Sequence, residues 1–145
     1  MARPKIRVQH FLVCRGVEVE GPAGPDNPYT LRNVFYRHFV RPEIEFPTEL
    51  RELWLFCRLV NLNRGVGTVG FAVEVVWMDS PRGEELICVY PGLAAYFREE
   101  LGMVSRAWRL SHVPLMGLGG YEFRLRSAPN ARLRAQEFVR IEQKR

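Results

Sequence analysis

The stretch "MGLGGYEFRLR", residues 116–126, decides how this chain folds. Gly117, Gly119 and Gly120 crowd into four positions directly before an alternating run. Two readings compete, a loop that cradles phosphate and a turn that feeds a strand. A phosphate loop needs its glycines after a strand and before a helix, whose first N–H groups hold the anion. Here the glycines follow Pro114 and precede "YEFRLR", in which Tyr121, Phe123 and Leu125 share one face and Glu122, Arg124 and Arg126 the other. That alternation is the period of a half-buried strand. No P-loop lysine follows, and the spacing G-x-G-G is not G-x-G-x-x-G. The glycines therefore turn a corner with φ > 0. Tyr121 stands where its hydroxyl locks such a corner in sandwich folds.

Working outward, the same period recurs. "TVGFAVEVVWMD" places Val69, Phe71, Val73, Val75 and Trp77 on one face. "DSPRGEE" then carries hairpin-loop chemistry, and "ELICVY" returns as the partner strand. "LWLFCRLVN", residues 53–61, is apolar on both faces, as in a central strand or a buried helix segment, and its Asn-Leu-Asn-Arg-Gly ending favours the strand. "YTLRNVFYRHFV", residues 29–40, reads as one strand in which Tyr29, Leu31, Phe35 and Phe39 share a row. At the N-terminus, Ile6 and Val8 alternate against Phe11 and Val13 in a strand candidate spanning 6–20, with a break near Arg15-Gly16. "RAQEFVRIE" closes the chain with a register change expected near Gln136. Residues 21–28, "GPAGPDNP", are a loop, since five of eight are Gly or Pro. Two segments look helical: "TELREL" with a cap-like Thr48, and residues 91–102, where Leu93, Tyr96, Phe97 and Leu101 share a helical face. An irregular edge strand is the alternative for the second. Seven to nine short strands with turn signals between them predict an all-β antiparallel sandwich.

The order of these features resembles a family of small uncharacterised bacterial proteins expected to be immunoglobulin-like β-sandwiches. The resemblance runs over residues 6–141. It is carried by "VQHFLVCRGVEVE", Phe46-Pro47 before the buried strand, the hairpin, "YEFRL" and "EFVRIE". It implies the fold and supplies no catalytic residues, and a fold alone does not carry function.

A length of 145 residues predicts one domain over 1–145. No apolar run reaches the ~18 residues of a membrane span. The N-terminal stretch is basic and then apolar, but polar residues interrupt it and no cleavage site follows, so a cytoplasmic location is expected. Cys14, Cys57 and Cys88 are odd in number, widely spaced and set in apolar segments, which suits small buried hydrophobes. The net charge of +5 comes from 19 Arg and two Lys dispersed among 16 acids, a solvated surface rather than a basic tail.

Chemistry-bearing motifs are sparse. His10, His38 and His112 form no metal-ligand spacing. Cys14–His38 and Cys88–His112 are the dyads the fold would have to assemble. The carboxylate pairs Glu43/Glu45, Glu84/Glu85 and Glu99/Glu100 lie in loop-like, polar contexts. No catalytic, cofactor or metal residue is therefore assigned. Two binding surfaces are nominated instead. If the last two strands pair, Arg124, Arg126, Arg132, Arg134 and Arg140 form a polyanion face. Core packing is the favoured reading of Tyr96 and Phe97; if residues 91–102 form an edge or loop, they are instead partner-contact aromatics. The expected function is a non-enzymatic protein-binding or assembly module, as a homo-oligomer or in a larger assembly. The alternative is an accessory nucleic-acid or polyanion binder.

Overall fold

The computed structural model describes residues 2–19, 29–98, 102–128 and 131–145. Their strands, in chain order, are β1 (Ile6–Val19), β2 (Tyr29–Val34), β3 (Arg37–Val40), β4 (Thr48–Asn61), β5 (Gly67–Trp77), β6 (Glu85–Phe97), β7 (Met103–Leu115), β8 (Gly119–Arg126) and β9 (Leu133–Gln143). One sheet has the order β2-β1-β4-β7 and the other β3-β9-β8-β5-β6. All neighbours are antiparallel except β3, which runs parallel to β9. The two inner faces meet in one cluster that includes Phe11, Leu55, Phe71, Val75, Phe97, Trp108, Tyr121 and Phe123. The all-β sandwich with nine strands is as expected.

The strand phases follow from local irregularities. A register shift between Val8 and His10 lets Ile6, Val8, Phe11 and Val13 all serve the core, which explains why the two pairs alternate out of step. On β7, Trp108 and Leu110 face inward, and so does Val113, because His112 adopts φ 54° and resets the alternation. On β9 the shift lies opposite the Leu125/Arg126 step, at Arg134, two residues from the expected Gln136.

Two expectations are corrected, and the alternative left open for residues 91–102 is decided for the edge strand. "TELREL" is the start of β4 and makes no helical turn, because Thr48 and Leu50 pair with Leu115 and Val113 of β7. Residues 91–97 continue β6 as an edge strand. Pro91 and Gly92, the latter at φ 77°, sit at the shift between Phe71 and Val73, where an edge strand accommodates a proline. Residues 99–101 of that helical reading, with the Glu99/Glu100 pair, lie outside the described residues, as does the Gly/Pro loop at 21–28. Residues 29–40 are two strands in different sheets. Asn33 takes φ 51°, a conformation asparagine tolerates, and the chain leaves the four-stranded sheet for the five-stranded one. The Phe46-Pro47 peptide is cis.

The β1–β2 hairpin also curls over its own sheet. Tyr29 pairs with Val19, seven residues beyond Leu12, which pairs with Phe56. A straight strand would separate them by roughly 23 Å, yet the Tyr29 and Phe56 rings lie 5.6 Å apart. This cover explains why Phe56 is buried outside the core cluster.

Candidate interaction surface

Tyr121 locks the glycine corner as its sequence predicts, but of the three glycines Gly119 alone takes φ > 0. The Tyr121 hydroxyl accepts from the N–H groups of Met116 (2.9 Å) and Gly117 (3.1 Å) and donates to the Gly117 carbonyl (2.7 Å). Burial of the ring raises its hydroxyl pKa. Trp77 stacks on Tyr121 at 6.2 Å and donates its indole N–H to the Leu118 carbonyl. Gly119 has φ 115°, and a Cβ there would collide with Asp79, whose carboxylate accepts the Gly120 N–H at 2.6 Å. The Phe138 ring lies over Gly120. The corner is filled by its own side chains, so its glycines serve close packing.

β8 and β9 pair, as the nominated arginine face requires, but most of its arginines are engaged. Arg124 bonds Glu122 (2.6 Å) and Glu84 (3.2 Å). Arg126 pairs with buried Glu74 and donates to the Ala131 carbonyl. Arg134 donates to Ser127, and Arg140 to Glu142 at 3.0 Å. Arg132 is exposed just before β9. The side chains of Arg124 and Arg126 are only 20% and 21% exposed. Register sets Ala72, Glu74 and Val76 of β5 opposite Arg126, Arg124 and Glu122, and all three β5 residues are buried on this outer face. The arginine stems roof them while the charges are neutralised locally.

The dyads are not assembled. Arg15 donates to His38 Nδ1 at 2.8 Å and lies over the Phe35 ring, 5.1 Å from its centroid. Burial and the Arg15 charge both lower the His38 pKa. His112 Nδ1 bonds Glu49 at 2.8 Å. Cys14 Sγ lies against the Trp54 carbonyl, and Cys88 against the Tyr90 hydroxyl. Burial raises all three thiols, Cys57 to about 12, which keeps them protonated. Among the described residues no three His, Cys, Asp or Glu side chains form a metal-binding group. No helix there is long and apolar enough to cross a membrane.

Of the nominated aromatics, Tyr96 is 56% exposed, whereas Phe97 is wholly buried. Phe97 is a correction: β6 alternates, so neighbouring residues cannot share a face. The sequence reading missed the larger exposed set. Val34, Tyr36, Phe39 and Ile44 are all exposed within one short stretch around β3, and Phe138 is exposed on the neighbouring β9. The turn after Asn33 moves Phe39 out of the row it shares with Phe35 in the sequence. Asn33 was the only local signal for it.

No protein-family model matches this chain, and no curated protein matches it. Several solved structures are similar to it. A β-D-glucoside glucohydrolase from Trichoderma reesei is 9% identical with a TM-score of 0.52, over 97% of this chain and 19% of that one. β-Glucosidase 3B from Thermotoga neapolitana is 11% identical with a TM-score of 0.45, over 94% and 16%. An immunoglobulin-like protein from Pseudomonas aeruginosa is 10% identical with a TM-score of 0.43, over 98% and 100%. The chain thus spans about a fifth of the glucohydrolase, and at these identities the likeness concerns fold alone. With its two sheets, its crossover connections and its tyrosine at the start of the strand after the corner, the chain is an immunoglobulin-like β-sandwich.

Proposed function

We propose that this chain is a non-enzymatic protein-binding or assembly module that meets its partner on the β3 side of the sandwich. The observation that carries the reading is the concentration of exposed apolar residues there: Val34, Tyr36, Phe39 and Ile44 fall within eleven consecutive residues. Apolar patches with polar rims mark protein contacts. The cysteines and histidines of the two candidate dyads are meanwhile engaged with other neighbours. Membership of the small bacterial family that the sequence resembles, and a cytoplasmic location, belong to the same proposal. The polyanion alternative has less support, because Arg124 and Arg126 are neutralised by neighbouring carboxylates.

The test is a photo-crosslinking residue at position 39, identification of the adduct and reconstitution with the purified partner, a second copy of the chain included. Phe39→Ala is expected to weaken that complex by about tenfold or more, with Tyr96→Ala as the control. A complex indifferent to Phe39, or an adduct with nucleic acid, overturns the reading.

A further inference from the structure

Phe39 separates two clefts. One, of about 570 Å³, is lined by Phe39, Glu142, Gln143, Lys144 and Arg145. The other, of about 260 Å³, lies between β3, the start of β4 and the end of β7, with Phe39, Ile44, Leu50 and Leu115 as apolar walls and Arg41 at its rim. The acids in these linings are already matched, Glu142 by Arg140 and Glu49 by His112. Glu43 and Glu45 flank Ile44 on the loop and line neither cleft. Arg41, Lys144 and Arg145 have no acidic partner among the described residues. Arg37 also has no acidic partner among the described residues and stands opposite Arg140 in register, whose own charge Glu142 takes up. An apolar anchor point is thus ringed by uncompensated positive charge.

We infer that the two clefts receive an acidic segment of a partner protein, which inserts one large apolar side chain beside Phe39 and sets carboxylates against Arg41 and Lys144. The inference rests on the protein-binding reading and adds the chemistry of the partner. A nucleic-acid strand fits less well. It needs a continuous basic track and successive stacking rings, whereas among the described residues the clefts hold just two rings, Phe39 and the His38 imidazole that Arg15 already engages, and the arginines in the middle of the sheet are neutralised.

The experiment uses the full chain and a fluorescein-labelled acidic peptide with one central phenylalanine, read by anisotropy. Controls are the same peptide with serine at the centre, its lysine counterpart and an oligo(dT) competitor. The acidic phenylalanine peptide is expected to bind saturably and to weaken as salt rises. Phe39→Ala, and Arg41→Glu combined with Lys144→Glu, are each expected to weaken binding about tenfold or more. All three residues are exposed, and circular dichroism confirms that the variants fold. Absence of saturable binding overturns the inference. So does equal binding of the lysine or serine peptide, indifference to the variants, or displacement by oligo(dT) at equal concentration. If position 39 crosslinks to a protein but the acidic peptide fails, the acidic chemistry falls and the protein-binding reading stands. If both fail, both fall.

Discussion

Tyr121 makes three hydrogen bonds through one oxygen, all to the backbone of the corner that precedes it. Tyr121→Phe removes them while keeping the ring on Trp77. The expected loss is about 1–3 kcal/mol, seen as a lower urea midpoint with an unchanged m-value. The neighbouring glycines separate strain from crowding. Gly119→Ala meets both a left-handed φ and the Asp79 carboxylate, whereas Gly120→Ala meets only the outer edge of the exposed Phe138 ring, which can swing away. Gly119→Ala is therefore expected to be the more destabilising in the same urea titration, and the reverse order would refute this account. The Glu74–Arg126 pair is a third residue-scale case. Arg126→Ala leaves a buried carboxylate unmatched and is expected to cost about 2–3 kcal/mol, less than a wholly buried pair. Joint replacement of Glu74 and Arg126 by leucine should return the stability to within about 1 kcal/mol of the parent. The corner was legible in the sequence because tyrosine, glycine and strand period act locally. The Glu74–Arg126 pair was not, because it depends on which β5 residues lie across from β8.

At the scale of elements, the two long edges β6 and β7 belong to different sheets and border the same side of the sandwich. The Trp108 indole donates to the Ala94 carbonyl of β6, and the Tyr90 hydroxyl donates to the Ser111 carbonyl of β7. Each side chain takes up a carbonyl of the opposing edge strand. Pro91 and the irregular Gly92 further spoil β6 as a template for strand addition. The combined variant Tyr90→Phe with Trp108→Phe is expected to speed amide exchange in β6 and β7 and leave β8 and β9 protected. Uniform acceleration would instead mean a global loss of stability. These edges also show where sequence patterns stop informing. The β5–β6 hairpin was legible because its loop chemistry and alternation agree. The course of residues 91–97 was not, since Pro-Gly at a β-bulge interrupts alternation and leaves a spacing that imitates a helix. Residues 29–40 hid a change of sheet for the same reason. Composition reports a strand, but a single left-handed asparagine decides which face Phe39 takes, and with it the position of the candidate site.

For the whole molecule, the buried titratable groups set opposite limits on stability against pH. Burial raises Cys57 from an ordinary 9.0 to about 12, and raises Cys14, Cys88 and Tyr121 as well. Above pH 9 for the thiols, and above 10 for Tyr121, the unfolded chain releases these protons while the folded chain holds them, so unfolding gains. The contribution is complete below about 9 and is lost as pH rises toward about 12. His38 acts in the other direction. Its folded pKa lies below the ordinary 6.5, through burial and the Arg15 charge, so the unfolded chain binds the proton first. That contribution is present above 6.5 and is lost as pH falls through the folded value. Urea midpoints across the pH range are therefore expected to form a plateau with an alkaline and an acidic limb. Cys57→Ala should lower the plateau, because a small core side chain is lost, and flatten the alkaline limb. His38→Gln should flatten the acidic limb alone. An alkaline limb of unchanged slope in Cys57→Ala would show that the buried thiol is not what ties this sandwich to neutral pH.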